Sequence, residues 1–293
     1  LAPHQNKEEK KMVNIFCNNK YWIKKGFYIV LVSILSILYI LPVIWMSLSS
    51  FKPTKEFFQS PPRIIPDSVT LDQYINAFAK NNVGKSILTT IIIAVLSMVF
   101  SLIIGSMMAY PLARRPKKGY GAIMGVVISG RMMPAAALCV PMYMIFRTLG
   151  LIDSYTGLII CYTTFNLPFS VFLIRSFIRQ VPYEIDESGK IDGCTKTRIL
   201  FSLIIPLIGP GLVTTAIFSF LLAWNDLLFA IILTTSEKVR TLSVLVTSYN
   251  ASRDRLYGEM FAVMTITLIP VVLLTVFAQK YLVEGLTTGA VKG

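Results

Sequence analysis

The chain has 293 residues, 54% of them hydrophobic and 15% charged, with a mean hydropathy of +0.65; an ordinary soluble domain holds roughly 45–50% apolar residues. That excess, with charges clustered between long uncharged runs, excludes a disordered or fibrous chain and makes a lipid bilayer part of the solvent. The net charge of +13 would raise nucleic acid as a partner of a soluble protein, but in a membrane chain it reads as a positive-inside bias and implies no nucleic acid.

Residues 1–25 form a polar, basic tail. Six apolar stretches follow, each close to the roughly 20 residues that cross a hydrocarbon core. The first, about 26–51, has no A-x-A-like cleavage site and reads as a retained signal anchor. The second, 86–113, lies between Lys85 and Arg114, and the third, 119–146, contains Arg131. A turn at 150–153 leads to the fourth, 154–174. A polar loop at 181–200 precedes the fifth, which begins near Leu203, contains Pro206 and Pro210 and reaches about Leu233. The sixth is 260–279, and 285–293 is a terminal tail. Lipid satisfies no open backbone groups, so every span must be a helix. The predicted fold is all-α and polytopic, a six-helix transmembrane domain over 26–284.

Placing the N-terminal tail inside and alternating sides puts 17 Lys and Arg on the inner side and 10 on the outer, with Arg131 in a span. The short Arg114-Arg115-Pro116-Lys117-Lys118 loop is the clearest inner segment. Both termini are therefore expected in the cytoplasm. The outer loops 52–85 and 234–259 are long enough for small capping structures at the membrane surface.

The loop at 181–200 is the most informative polar segment. Pro182 suits a helix first turn, Glu184, Asp186 and Glu187 sit where a helix dipole favours acids, and Asp192-Gly193 supplies a stop. A second helix starts near Thr195. A short helix laid across the end of a span is shaped to transmit a push from a cytoplasmic partner, although a solvated connection reads the same way.

Within the spans the polar residues are few. Arg131 costs roughly 2.5–3.5 kcal/mol at a helix centre and must face protein or water. It either pairs with carbonyls freed by Pro134 and Pro141 or lines a solute path. Asn166, before Pro168, and Asn225, beside Asp226, are the other path candidates. Met142, Tyr143 and Phe146 read as helix packing, and Gly121 and Gly125 as a G-x-x-x-G close-packing pair.

Several chemistries are excluded. The lone histidine, His4, leaves no two-His zinc site and no Ser-His-Asp triad, so no catalytic or metal residues are expected. Cys17, Cys139, Cys161 and Cys194 form no C-x-x-C and read as free or packing thiols. Val83-Gly84-Lys85-Ser86 ends like a P-loop, but the required earlier glycine is Ala79, so no nucleotide site is read.

Glu187-Ser188-Gly189, then Asp192-Gly193 and Ile205-Pro206-Leu207, resembles the EAA loop of binding-protein-dependent ABC importer permeases. Ala223-Trp224-Asn225-Asp226 is similar to the A-W-N-[ED] run of their fifth span. The ending Gly285-Leu286-Thr287-Thr288-Gly289-Ala290-Val291-Lys292-Gly293 and the Gly150-Leu151-Ile152-Asp153-Ser154 turn resemble the maltose-type, MalG-like sugar permeases. The likeness spans all but the first twenty or so residues. It departs at Ser188-Gly189, where the family usually has two alanines; the glycine costs roughly 1 kcal/mol of helix propensity.

This resemblance implies a type I ABC importer permease fold and a subunit that forms the pore for a sugar. It implies that Glu184, Glu187, Ser188, Gly189, Asp192 and Gly193 form a coupling helix seated in a cytoplasmic ATPase, and that Thr288, Gly289, Ala290 and Lys292 make a second ATPase contact. The implied partners are a MalF-like second permease, two ATPase subunits that bind ATP and Mg, and an extracellular solute-binding protein. No cofactor is implied for this chain, and its place is a bacterial or archaeal cell (inner) membrane. Rival readings are import of a non-sugar solute, a membrane scaffold and an intramembrane enzyme; for the enzyme the spans offer no catalytic pair.

Overall fold

The computed structural model describes residues 5–61, 63–114, 119–251 and 256–290, with side chains from Lys25 to Gln279 apart from a few within 120–131 and 250–251. His4, Arg115 to Lys118, Lys292 and the side chains of Cys17 and Arg131 lie outside the described residues. Among the described residues every regular element is helical. The chain divides into two compact units, Leu1–Gln73 and Tyr74–Gly293.

In the first unit α1 (Gln5–Ser49) is one helix. The expected tail is thus helical from Gln5 onward, because the Lys- and Glu-rich run before the span contains good helix formers and no breaker. From Phe27 to Ile44 the large apolar side chains of α1 are exposed, as a lipid-facing span requires. A 3-10 turn at Thr54–Phe58 follows. Gln73 Nε2 donates to the Lys52 carbonyl at 3.0 Å and to Thr54 Oγ1 at 3.1 Å, and Thr70 N donates to the Phe51 carbonyl at 2.9 Å. These bonds close residues 51–73 into a small folded loop.

The second unit is entered through α2 (Asp72–Lys80). It continues with α3 (Val83–Arg114), α4 (Tyr120–Met132), α5 (Ala135–Thr148), α6 (Tyr155–Ile178) and α7 (Glu184–Ile191). Next comes one rod made of α8 (Lys196–Arg198), a π-helical stretch at Ile199–Ile204 and α9 (Ile205–Leu207). The chain ends with α10 (Gly209–Trp224), α11 (Leu228–Leu233), α12 (Leu242–Ala251) and α13 (Tyr257–Ala290).

All six apolar stretches are helical, but two are broken. Lys25–Ser49, α3, α6 and Tyr257–Gln279 are each long and apolar enough to cross a membrane alone. The third stretch splits into α4 and α5 at Met133-Pro134, where proline cannot continue the i→i−4 ladder. The fifth, expected as one run, bends by 88° between the rod and α10. Pro210 enters at the second position of α10, and Ile208 sits at φ −95°, ψ 18°. A second interruption at Asn225 to Leu227 separates α10 from α11.

The most extensive helix pairing is α3 along α6. Ser97, Ser101, Gly105 and Ala109 recur every fourth residue on α3 and are all buried. Ser97 Oγ and Ser101 Oγ each lie 3.5 Å from an α6 carbonyl, of Ile159 and Thr163. A Cβ on Gly105 would come within 3.1 Å of Ser170 Cβ. This stripe of small residues brings two backbones close where lipid supplies no hydrophobic driving force. Among the described residues the expected Gly121 and Gly125 pair makes no such approach: a Cβ on either meets nothing within 4 Å. The close approach is made by Gly105, four residues after Ser101.

Loops gather at two ends. At one, the turn before α6 meets the segment after α11: Asp153 N donates to the Leu233 carbonyl at 2.7 Å, and Asp153 Oδ1 accepts from Ser236 N at 3.0 Å and Thr235 N at 3.2 Å. Ser236 Oγ donates to Asp153 Oδ2. Partial burial pushes the Asp153 pKa up, but the Ser236 and Thr235 bonds and the Lys238 charge outweigh it and hold the carboxyl below its ordinary value.

Gly105→Leu should push α3 off α6 and cost about 1–3 kcal/mol, the usual penalty of overpacking. It should read as a lower melting temperature of the solubilised protein, with Gly121→Ala unchanged. Because the folded-state pKa of Asp153 is depressed, its contribution is complete above the ordinary carboxyl value of about 3.9 and is lost as pH falls through the depressed one. Asp153→Asn, which keeps the left-handed backbone (φ 57°) accessible, should therefore lower the melting temperature at pH 7, and the gap from wild type should shrink in acid.

Candidate functional site

The end of the second unit opposite Asp153 carries α7. Its stop is a Schellman turn: Cys194 N donates to the Gly189 carbonyl at 2.8 Å, and Gly193 N to the Lys190 carbonyl at 3.1 Å. Gly193 sits at φ +73°, where a glycine is strain-free. Thr195 then caps the rod, its Oγ1 accepting from Arg198 N at 3.3 Å. Both devices lie where the helix-stop-helix pattern places them.

The helix has two faces. Glu184, Glu187, Ser188 and Ile191 recur at i, i+3, i+4 and i+7 and are all exposed, Ile191 by 86%. Asp192 and Gly193 are exposed beyond them. Asp186 and Gly189 point inward and are buried. Gly189, grouped by the sequence with the contact residues, lies against the rod: a Cβ there would sit 2.9 Å from Leu203 Cδ1 and 3.0 Å from Ile199 Cγ1.

Asp186 ties α7 to α3. Tyr110 donates its hydroxyl to Asp186 Oδ1, and Arg114 Nε lies 2.9 Å from Asp186 Oδ2. The side chains of Arg114 and Asp186 are 9% and 1% exposed. The Nε–H points off the line to Oδ2, so the contact is an ion pair without a hydrogen bond. Arg114 Nη1 also donates to the Val181 carbonyl at 2.7 Å, and Arg175 Nε to the Leu112 carbonyl at 3.2 Å. Around these groups Leu112, Ile174, Ile178, Val181, Ile199, Leu200 and Ile204 form an apolar cluster that joins α3, α6 and the rod. The sequence reading saw Asp186 only as one of three dipole-favoured acids. The available signal was Tyr110 and Arg114, four apart on one face at the end of a span.

A second polar place lies beside the α4–α5 break. A cavity of about 230 Å³ is lined by Tyr162, Phe165, Asn166, Asp226 and Phe229, together with Gly130, Met133 and Ala135. Tyr162 donates its hydroxyl to Asp226 Oδ2 at 2.9 Å, which also accepts from Phe229 N and Ala230 N and so caps α11. Asn166 Nδ2 donates to the Ser219 carbonyl at 3.0 Å, and the rings of Phe165 and Phe229 stack at 4.3 Å. Asn225 does not line this cavity; it is exposed at the end of α10, its amide donating to the Leu221 carbonyl. Trp224 of the same run is buried, with Nε1 donating to the Thr267 carbonyl of α13 at 3.2 Å. Tyr162 and Asp226 are the cavity residues that sequence reasoning did not single out as a pair; four residues separate Tyr162 from Asn166 on α6.

The backbone of Arg131 belongs to α4, one residue after Gly130 of the cavity lining, and its side chain lies outside the described residues. Thr288, Gly289 and Ala290 are helical in α13, and their side chains likewise lie outside. Among the described residues no group of three or more His, Cys, Asp or Glu is placed to hold a metal.

The family model described as "Binding-protein-dependent transport system inner membrane component" matches residues 101–288. The chain is 34% identical over 256 residues to the trehalose transport system permease protein SugB of Mycobacterium tuberculosis, covering 87% of this chain and 93% of that one. It is 33% identical to the diacetylchitobiose uptake system permease protein NgcG of Streptomyces coelicolor, covering 87% and 84%. A crystallised bacterial ABC transporter involved in the import of the acidic polysaccharide alginate shares the fold, with TM-score 0.75 at 22% identity over 88% of this chain and 96% of that one. With this helical architecture and these matches, the chain belongs to the binding-protein-dependent transport system inner membrane component family, as a multi-pass permease subunit with the ABC importer permease fold.

Proposed function

We propose that this chain is one of two pore-forming subunits of an ATP-driven sugar importer, and that α7 couples ATPase closure to alternating access. The observation that carries the reading is the two-faced helix. Its outer face, Glu184, Glu187, Ser188 and Ile191, is free to meet another protein. Its inner face is fixed to the end of α3 through Asp186, so a displacement of α7 moves a membrane helix with it. Sugar is supported by the relatives, permeases named for trehalose and diacetylchitobiose uptake. The cavity suits such a solute, with a carboxylate and an amide for hydroxyls beside an aromatic pair. Asn166 and Arg131 are the path residues of this reading.

The partners are a second, MalF-like permease, two ATPase subunits that hold ATP and Mg, and an extracellular solute-binding protein. The α7 end faces the cytoplasm, as do both termini. The charge count supports this side, and Arg114 and Asp186 put the loops after α3 and α6 at one end, as an alternating topology requires. The C-terminal residues Thr288, Gly289, Ala290 and Lys292 make the second ATPase contact.

The complex reconstituted in vesicles with its binding protein should take up labelled trehalose or diacetylchitobiose in an ATP-dependent, saturable way; uptake of an amino acid in place of either sugar would overturn the sugar assignment. The two faces of α7 should fail differently. Glu187→Arg should abolish copurification of the ATPase subunits without lowering the melting temperature. Asp186→Asn leaves the Arg114 charge buried and unbalanced, at a cost of about 3–5 kcal/mol. It should keep the ATPase bound while uptake per ATP hydrolysed falls at least tenfold. Loss of the same property in both variants would sink the division of roles.

A further inference from the structure

Between the end of α3 and the flank of α7, beside the Arg114–Asp186 pair, lies a cavity of about 220 Å³. Its polar part is made by Arg114, Tyr183, Asp186, Lys190, Lys196 and Thr197. Its apolar wall is made by Met107 and Pro111 of α3 and by Leu200 and Phe201 of the rod. None of Glu184, Glu187, Ser188 and Ile191 lines it, so it lies off the face offered to the ATPase.

The lining carries three cations and one anion. Asp186 balances Arg114, which leaves the charges of Lys190 and Lys196 uncompensated in the cavity. Lys190 Nζ stands 4.8 Å over the Tyr183 ring and donates to its hydroxyl at 3.2 Å, using one of three ammonium donors. Arg114 adds a third positive group to the same lining, its guanidinium carbon 6.0 Å from the Tyr183 ring centroid. Its side chain is 9% exposed, yet among the described residues its Nη2 has no hydrogen-bond partner. That nitrogen is itself closed to solvent, so it is the summed charge of Arg114 and of the exposed Lys190 and Lys196 ammonium groups that draws an anion, and a phosphate oxygen fits those donors.

We propose that this cavity binds the phosphate of an anionic phospholipid, with Arg114, Lys190, Lys196 and Thr197 on the headgroup and an acyl chain along Met107, Pro111, Leu200 and Phe201. A soluble phosphate would satisfy the cations and leave the apolar wall bare, and Met107 is already 54% and Phe201 38% exposed. A lipid covers both parts at once, in the manner of basic pockets between helices at a membrane surface. The bound lipid would then brace α7 against α3 at the place where the Arg114–Asp186 pair joins them. The proposal rests on the chain spanning a membrane and on neither the solute nor the ATPase contact proposed above.

The test is lipid retention by the purified complex in native mass spectrometry, after exchange into nanodiscs of phosphatidylglycerol and phosphatidylcholine in equal parts. Wild type should keep phosphatidylglycerol selectively. The Lys190→Ala, Lys196→Ala double variant changes two exposed side chains, and it should lose roughly 30-fold in retention, from the contribution of a cation near a lipid surface. Lys85→Ala with Lys238→Ala, an equal change of charge elsewhere, should retain lipid as wild type does. Equal retention of the two lipids, or equal loss in both double variants, would overturn the site. Displacement of the lipid by millimolar glycerol 3-phosphate would assign the cations to a soluble phosphate and overturn the lipid. No transport measurement enters, so failure of the importer reading and failure of this one are told apart.

Discussion

A carboxylate with 1% of its side chain exposed, set at the end of a membrane helix, is costly to bury without partners, and Asp186 finds them in Arg114 and Tyr110. Taking two charges out of water costs several kcal/mol per ion, and their attraction recovers that only with good geometry and additional hydrogen bonds. Here Arg114 donates to the Val181 carbonyl and Asp186 accepts from Tyr110, so both ions are held twice. Such a pair adds little net stability over an apolar contact of the same volume. What it does supply is registry: α7 can sit against α3 in one position only, because any slip leaves a buried charge alone. A helix with the coupling role proposed for α7 needs that uniqueness more than it needs binding energy.

The same requirement for rigidity explains the seam between α3 and α6. In the proposed coupling role, a push delivered to α3 at Arg114 is useful only if α3 carries its neighbours along. The small residues at 97, 101, 105 and 109 let the α6 backbone come close enough for van der Waals contact along the length of the pair. At the far end Asp153 fastens the turn before α6 to the segment after α11. The chain of contacts from α7 to that end thus passes through charge pairing, close backbone packing and carboxylate–amide bonds in turn.

Most of the architecture was legible from length and hydropathy. The second stretch was read as 86–113 and α3 is Val83–Arg114; the fourth was read as 154–174 and α6 is Tyr155–Ile178. The devices around α7 were legible too, because caps and stops are local chemistry: Thr195 and Gly193 act within three or four residues of themselves. The bends were not. Pro206 and Pro210 were visible, but a proline only permits a break; the size of the 88° turn goes with tertiary packing, in which Ile199, Leu200, Ile204 and Ile208 share one buried cluster with residues of α3 and α6. Asp186 was hidden for the same reason, since an eight-residue helix with three acids does not say which of them faces in. Asp226 stood in the sequence only as the neighbour of a path candidate, and its contact with Tyr162 depends on α10 ending where it does.

The one departure from the family pattern has a tertiary cause. Two alanines usually stand where this chain has Ser188 and Gly189, and on propensity alone the glycine weakens an eight-residue helix by roughly 1 kcal/mol. In the structure the space an alanine methyl would need is taken by Leu203 and Ile199 at 2.9 and 3.0 Å. Both belong to the π-helical stretch of the rod. An alanine here would regain the helix propensity only by shifting those two side-chain ends, whereas the glycine lets α7 and the rod pack closely with both in place.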